Sequence, residues 1–143
     1  MGGEKVSEAM SELRPAPWIT RDSSFFWEAA KRCELVAQRC TGCGKLRQPP
    51  RPMCPFCNSV EREEQVLSGK GTVYTWVMPR YPAIPGFEDG RIVVVIDLAE
   101  GIRMVSNLCD IAYEDVTREM CVEVFFEEAQ DGFKIPLFRP ASV

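Results

Sequence analysis

The chain of 143 residues contains no histidine. That absence excludes every catalytic scheme built on imidazole: the Ser-His-Asp triad, the Cys-His pair and the His-rich hydrolytic zinc site. A base working near neutral pH would have to be a strongly perturbed Glu, Asp, Lys or Cys, so independent catalysis is disfavoured. Long apolar runs are missing too. None approaches the ~18–20 residues that cross a bilayer. The opening stretch carries Glu4, Lys5 and Glu8 and lacks the apolar core of a secretory signal. These features predict a cytoplasmic protein with no membrane contact. The sequence shows no repeats and no low-complexity tract.

An even cysteine count is also lacking. The seven cysteines stand at 33, 40, 43, 54, 57, 109 and 121. An odd number without a signal peptide argues against a disulfide framework, and closely spaced pairs point to metal or redox chemistry. Excess positive charge is lacking as well. The net charge is −4 and the pI about 5.0, so bulk attraction to nucleic acid is not expected. The charge is unevenly spread, however. Residues 31–52 hold six basic residues against Glu34 alone, a local charge of +5. Residues 110–131 hold eight acids against Arg118, a local charge of −7. A basic patch beside an acidic region suits a small phosphorylated ligand or a charged protein partner better than a long polyanion.

What is present organises the chain into four parts. Residues 1–21 read as a flexible arm, with Pro15 and Pro17 against helix; Trp18 and Ile19 are apolar enough to pack on a partner. Residues 22–34 read as a short helix capped by Asp22, Ser23 or Ser24. Phe25, Ala29 and Cys33 share one face, with Phe26 and Ala30 beside them and Trp27 off the stripe. Its aromatics either pack on the body of the protein or dock on another subunit. Residues 35–62 are turn-rich and hold four cysteines.

Residues 63–143 turn to strand periodicity. Gly69-Lys-Gly71 signals a turn. Thr72–Met78 alternates, with Val73, Thr75 and Val77 on one side and Tyr74, Trp76 and Met78 on the other. Arg91–Leu98, Ile102–Leu108, Cys121–Glu127 and Phe133–Phe138 follow, with a proline- and glycine-rich loop at 79–90 and a connection at 112–119. Val122, Val124 and Phe126 are expected inward. Five short strands in about 75 residues fit a closed barrel of OB type, which removes exposed edges; an open five-stranded sandwich is the alternative.

The strongest motif is Cys40-Thr-Gly-Cys43-Gly44 with Cys54-Pro-Phe-Cys57-Asn58. Two residues between cysteines let a tight turn aim both sulfurs at one ion, and four thiolates complete the tetrahedron zinc prefers. Gly44 and Asn58 can adopt the left-handed conformation that ends such a turn. A redox dithiol, an iron site or a site that has lost its metal would share the spacing. Four protein ligands leave no open position, so the zinc is structural, and it supplies folding energy that 20-odd residues cannot. Cys33, Cys109 and Cys121 lack partners at metal spacing and read as buried, inert thiols. Arg39, Lys45, Arg47 and Arg51 are either a solvated surface or an anion site. The Tyr74/Trp76 face is either outer packing or a binding platform.

These residues stand in a recognisable order. Phe26-Trp-Glu-Ala29 precedes Leu35-Val-Ala-Gln-Arg-Cys40. The two knuckles flank Pro49-Pro-Arg-Pro52, Ser68-Gly-Lys-Gly-Thr-Val-Tyr-Thr-Trp76 follows, and Pro136-Leu-Phe-Arg-Pro140 closes the chain. The pattern closely resembles a family of acyl-CoA-associated proteins that pair an N-terminal rubredoxin-like zinc ribbon with a C-terminal OB fold, over roughly residues 18–141. The resemblance implies a mainly β protein with an N-terminal helix, and an accessory, non-catalytic subunit of a thiolase-superfamily enzyme in a hetero-oligomer. The partner would carry the catalytic Cys and His and cleave a C–C bond in acyl-CoA degradation. It implies structural Zn2+ on Cys40, Cys43, Cys54 and Cys57. CoA or acyl-CoA would meet Lys45, Arg47, Arg51, Arg80 and Tyr81, and Phe25, Phe26 and Trp27 would dock on the partner. Single-stranded nucleic-acid recognition, with bases stacked on Tyr74 and Trp76, is the alternative for a zinc ribbon joined to an OB fold.

Overall fold

A computed structural model of the chain describes residues 13–81 and 91–142. Most of the expected arm (1–12) and of the 79–90 loop (82–90) therefore lies outside the described residues. Helix α1 spans Ser24–Lys31. It is shorter than the expected 22–34, and its start differs from expectation. Ser23 occupies the N-cap position but makes no side-chain cap; its hydroxyl accepts from the Thr20 N–H at 3.0 Å, and Asp22 is drawn away to Arg62 at 3.1 Å. The helix ends as a Schellman turn. Cys33 takes φ 60°, its N–H donates to Ala30 O at 2.9 Å, and the Glu34 N–H donates to Ala29 O at 3.0 Å. Stopping there leaves Cys33 off the helix and exposed, so the buried face is Phe26, Ala29 and Ala30.

Three strands build the ribbon: β1 (Val36–Cys40), β2 (Leu46–Arg47) and β3 (Arg62–Val66), in antiparallel order β2-β1-β3. Its sheet runs straight into the barrel. The Leu67 N–H donates to Leu35 O at 2.8 Å, and Gly69 then turns the chain at φ +76°. A Cβ at Gly69 would collide with Val124 Cγ1, so the close approach as well as the backbone angle selects glycine.

Strands β4 (Lys70–Val77), β5 (Ile92–Leu98), β6 (Arg103–Leu108), β7 (Cys121–Glu128) and β8 (Lys134–Pro140) form a closed barrel in the order β4-β5-β6-β8-β7. The closing contact is parallel and brief, at Leu108↔Phe138. The closed barrel replaces the open-sandwich alternative, and every strand lies within about two residues of its predicted span. The connection before β7 holds a single 3-10 turn at Tyr113–Asp115. One core serves the whole unit. Phe26 of the helix and Leu35 and Ala37 of the ribbon pack with Val73, Val94, Ile96 and Phe138 of the barrel.

The first barrel strand departs from simple alternation. Val73 faces Ile96 but Thr75 faces Val95, so Tyr74 is an extra residue at a β-bulge. The pleat resets there. Val73 is buried, Thr75 and Val77 are exposed, and Trp76 and Met78 pack toward the core. Val73, Thr75 and Val77 thus do not share a side, and neither do Tyr74 and Trp76.

Candidate metal centre

Each Cys-x2-Cys segment folds as a knuckle. In the first, the Gly44 N–H donates to Cys40 O at 2.8 Å and the Cys40 N–H to Lys45 O at 2.9 Å. In the second, the Asn58 N–H donates to Cys54 O at 2.9 Å and the Cys54 N–H to Ser59 O at 2.9 Å. Gly44 at φ 77° and Asn58 at φ 64° supply the left-handed residues the motif predicts. The two turns are equivalent, and they face each other.

The sulfurs converge. Cys40 Sγ lies 3.5 Å from Cys57 Sγ, Cys43 Sγ lies 3.7 Å from Cys54 Sγ, and all four lie within 4.8 Å of one another. A disulfide needs about 2.05 Å, whereas a zinc tetrahedron with ~2.3 Å bonds sets its sulfurs about 3.8 Å apart. The spacing fits the ion. Cys40 and Cys54 are buried at the base of the site, and Cys43 and Cys57 form its outer rim.

The electrostatics agree. The N–H groups of Cys43 and Gly42 aim at the Cys40 sulfur and, against desolvation, pull its thiol down from 9.0 to about 6. The Cys57 N–H, with that of Phe56, lowers Cys54 in the same way. The Ser59 N–H draws Cys57 down too, but the adjacent Cys40 sulfur and desolvation prevail and push it up to about 11. Sulfurs this close cannot all ionise without a cation among them, and a divalent cation removes the conflict. Cys40, Cys43, Cys54 and Cys57 thus suit a structural zinc ion with no position left for a substrate.

The other predicted site residues are dispersed. Lys45 is exposed, with Nζ 3.9 Å from the centroid of the Phe56 ring, which ties one knuckle to the other. Arg47 lies inside the protein. Its Nε donates to Gln38 Oε1 at 2.7 Å and its Nη2 to Arg51 O at 3.4 Å. The Arg51 N–H also donates to Gln38 Oε1, at 2.9 Å, while the Arg51 side chain is exposed. Arg80 and the exposed Tyr81 follow β4, at the barrel. Phe26 is spent in the core, against Trp27 with ring centroids 5.0 Å apart, edge to face; Phe25 and Trp27 are half-buried.

Two features escaped sequence reasoning. Gln38 is buried in β1 between Ala37 and Arg39 and anchors the loop that carries Arg51; its neighbours give no signal for that role. A cavity of about 590 Å³ opens at the barrel, lined in part by Arg80, Arg91, Cys109, Tyr113, Phe125 and Glu127. Arg91 forks onto Glu127 at 2.8 and 3.1 Å, and Arg14 reaches the same carboxylate at 3.7 Å. Burial raises the Cys109 thiol, against the pull of Arg91, so it is a poor nucleophile.

A four-thiolate ribbon continuous with a five-stranded barrel defines the class: a zinc-ribbon and OB-fold protein. Residues 27–61 match the family model "ChsH2, rubredoxin-like zinc ribbon domain" and residues 64–127 match "ChsH2, C-terminal OB-fold domain". A DUF35 domain-containing scaffold protein of Methanocaldococcus jannaschii is 38% identical over 105 residues, 68% of this chain and 74% of the relative. A probable enoyl-CoA hydratase alpha subunit of Thermomonospora curvata is 40% identical over 138 residues, 96% of this chain but 43% of the relative. The solved structure of an Ltp2-ChsH2(DUF35) aldolase superposes with a TM-score of 0.84 at 40% identity, covering 89% of this chain and all of that one. The chain belongs to the DUF35 family, of ChsH2 type. It spans less than half the length of the hydratase subunit it matches.

Proposed function

We propose that the chain is an accessory, non-catalytic subunit of a thiolase-superfamily enzyme that cleaves a C–C bond in acyl-CoA degradation, in the cytoplasm. The observation that carries this reading is the 40% identity to the whole DUF35 chain of a solved aldolase whose name pairs it with a second component. The zinc centre supports it by being closed to substrate. The ribbon, helix and barrel share one core, and the metal would hold the ribbon's part of that unit in shape. Within this reading, Lys45, Arg51, Arg80 and Tyr81 are exposed for the phosphates and adenine of CoA, while Arg47 acts from inside by setting the Arg51 loop. Phe25 and Trp27 keep part of their surface for the partner.

The test is reconstitution. Purified chain is mixed with a thiolase-type subunit from the same source, and complex formation is followed together with retro-aldol or thiolytic cleavage of acyl-CoA esters. A stable hetero-oligomer with activity that neither subunit has alone is expected. The reading fails if the chain neither co-purifies with such an enzyme nor changes its activity or stability. A second reading, a module of an acyl-CoA hydratase, is favoured by the match across 96% of this chain to a probable enoyl-CoA hydratase alpha subunit; hydration of an enoyl-CoA by the reconstituted complex would select it. The nucleic-acid alternative required Tyr74 and Trp76 on one face. The bulge separates them, and the Arg103 guanidinium sits 3.7 Å from the Tyr74 centroid, where a base would stack.

A further inference from the structure

Strand β5 reads Ile92-Val-Val-Val-Ile-Asp-Leu98 and is apolar on both faces over its first five residues. A sheet strand with one solvated face alternates, whereas one apolar on both sides is a strand covered on both sides. Ile92, Val94, Ile96 and Leu98 point inward and are buried. Val93 and Val95 point outward. The ladder sets Val95 beside Thr75 of β4 and Val105 of β6, and Val93 beside Val77 and Asn107. Val105 is 65% exposed and Val77 55% exposed, in the middle or at the end of regular strands. Four valines therefore make a contiguous β-branched patch on the outside of the barrel. A cleft lined by Val93, Val105 and Asn107 runs on from it to Trp27.

Charge around the patch is unevenly placed, and its two ends differ. Asp97 is the only acid in β4, β5 and β6, and Arg103 holds it at 2.6 Å. Lys70, Arg103 and Arg118, the last lying over the Tyr74 ring, gather at one end, while past the other end Arg80 and Arg91 share a cavity with Asp110, Glu114 and Glu127. A twofold axis along the strands would set the Lys70, Arg103 and Arg118 end against itself, so at that end an acidic partner surface is a better occupant than a second copy in this arrangement.

We propose that the outer face of β4-β5-β6, centred on Val95 and Val105, is the surface that docks on the enzyme subunit, and that the enzyme presents there an apolar face edged by Asp and Glu. This rests on the accessory-subunit reading and goes further, by placing the interface on the barrel rather than on the zinc ribbon. The cleft toward Trp27 makes the valine face continuous with the half-buried aromatic side of α1.

The experiment measures binding of the full chain to the purified thiolase-type subunit that co-purifies with it. Val105→Glu and, separately, Val77→Glu each weaken the complex by about tenfold or more, since a carboxylate placed in an apolar interface is left unpaired. Both side chains are largely solvated in the free chain, so the melting temperatures of the isolated variants stay near the parent's. Arg118→Glu weakens the complex at low salt, and its effect shrinks at high salt. The face assignment is overturned if the parent chain binds the enzyme and both valine variants bind equally well. It is also overturned if the parent self-associates and Val105→Glu makes it monomeric, or if a single-stranded oligonucleotide competes for the face. If the parent binds no enzyme subunit, the accessory reading itself falls and takes this occupant with it.

Discussion

Cys40 Sγ and Cys57 Sγ, seventeen residues apart in sequence, stand 3.5 Å apart in space, too far for a disulfide and close enough to share a metal. The contact joins the base of one knuckle to the rim of the other. It makes the ribbon dependent on whatever holds the sulfurs together.

Removal of a buried ligand should therefore unfold the ribbon. Cys54→Ser deletes the sulfur of a residue that is only 1% exposed. We expect the parent protein to carry one zinc per chain by atomic spectroscopy and the variant to carry almost none. Structural zinc is worth roughly 10 kcal/mol or more to small metal modules, so the variant, or the parent treated with a strong chelator, should lose the ribbon's protection from proteolysis. The barrel strands stay hydrogen-bonded to one another in a closed sheet around Val73, Val94, Ile96 and Phe138, and should outlast the ribbon.

Acid should act in the same direction. The Cys40 thiol is lowered from 9.0 to about 6 in the fold. A group lowered on folding adds stability above its unfolded value and loses it as the pH falls through the folded one. Protons also compete with zinc for every sulfur. Zinc release to a colorimetric chelator should thus be slow at about pH 8 and quicken as the pH falls, with loss of ribbon structure in the same window.

The zinc site was legible in the sequence because its information is local. Two Cys-x2-Cys turns, each closed by a residue suited to the left-handed region, need no knowledge of the rest of the chain. The strands were legible for a similar reason, since alternation over five to eight residues is a property of the segment. The roles of single polar residues were not. Arg47 reads as one more cation in a basic stretch, yet the fold buries it, because Gln38 on the neighbouring strand supplies an acceptor that no sequence pattern signals. The cap of α1 failed likewise: Ser23 and Asp22 have the right chemistry, but Thr20 and Arg62 compete for their oxygens. The bulge at Tyr74 is set by pairing with β5, and an alternating string of residues does not disclose it.

The Gln38 and Arg47 pair offers a third test. Gln38 Oε1 accepts from both Arg47 Nε and the Arg51 N–H. Gln38→Leu preserves much of the volume but strands a buried guanidinium, which should cost about 3 kcal/mol. Arg47→Met in the same background removes the stranded charge and should recover most of the loss. Thermal melts of the two single variants and the double variant form the cycle. Additive losses would mean that the two side chains do not act together.

The bulge supplies the last test, because it reverses what alternation predicts for two adjacent aromatics. Without a bulge Tyr74 and Trp76 would face the same way and tolerate the same changes. With it, Trp76 lies opposite Val94 and packs toward the core, while Tyr74 points outward beneath Arg103. Trp76→Ala should cost about 2–3 kcal/mol, at or below the bottom of the range for truncating a fully buried aromatic, since its side chain is only half-buried. Tyr74→Ala forfeits an exposed cation–π contact and little else, a loss of about 0.5–1 kcal/mol. Denaturant melts of the two variants measure the difference directly. Equal losses would mean that the strand runs without its bulge, and that the outward valine face beside it is misplaced as well.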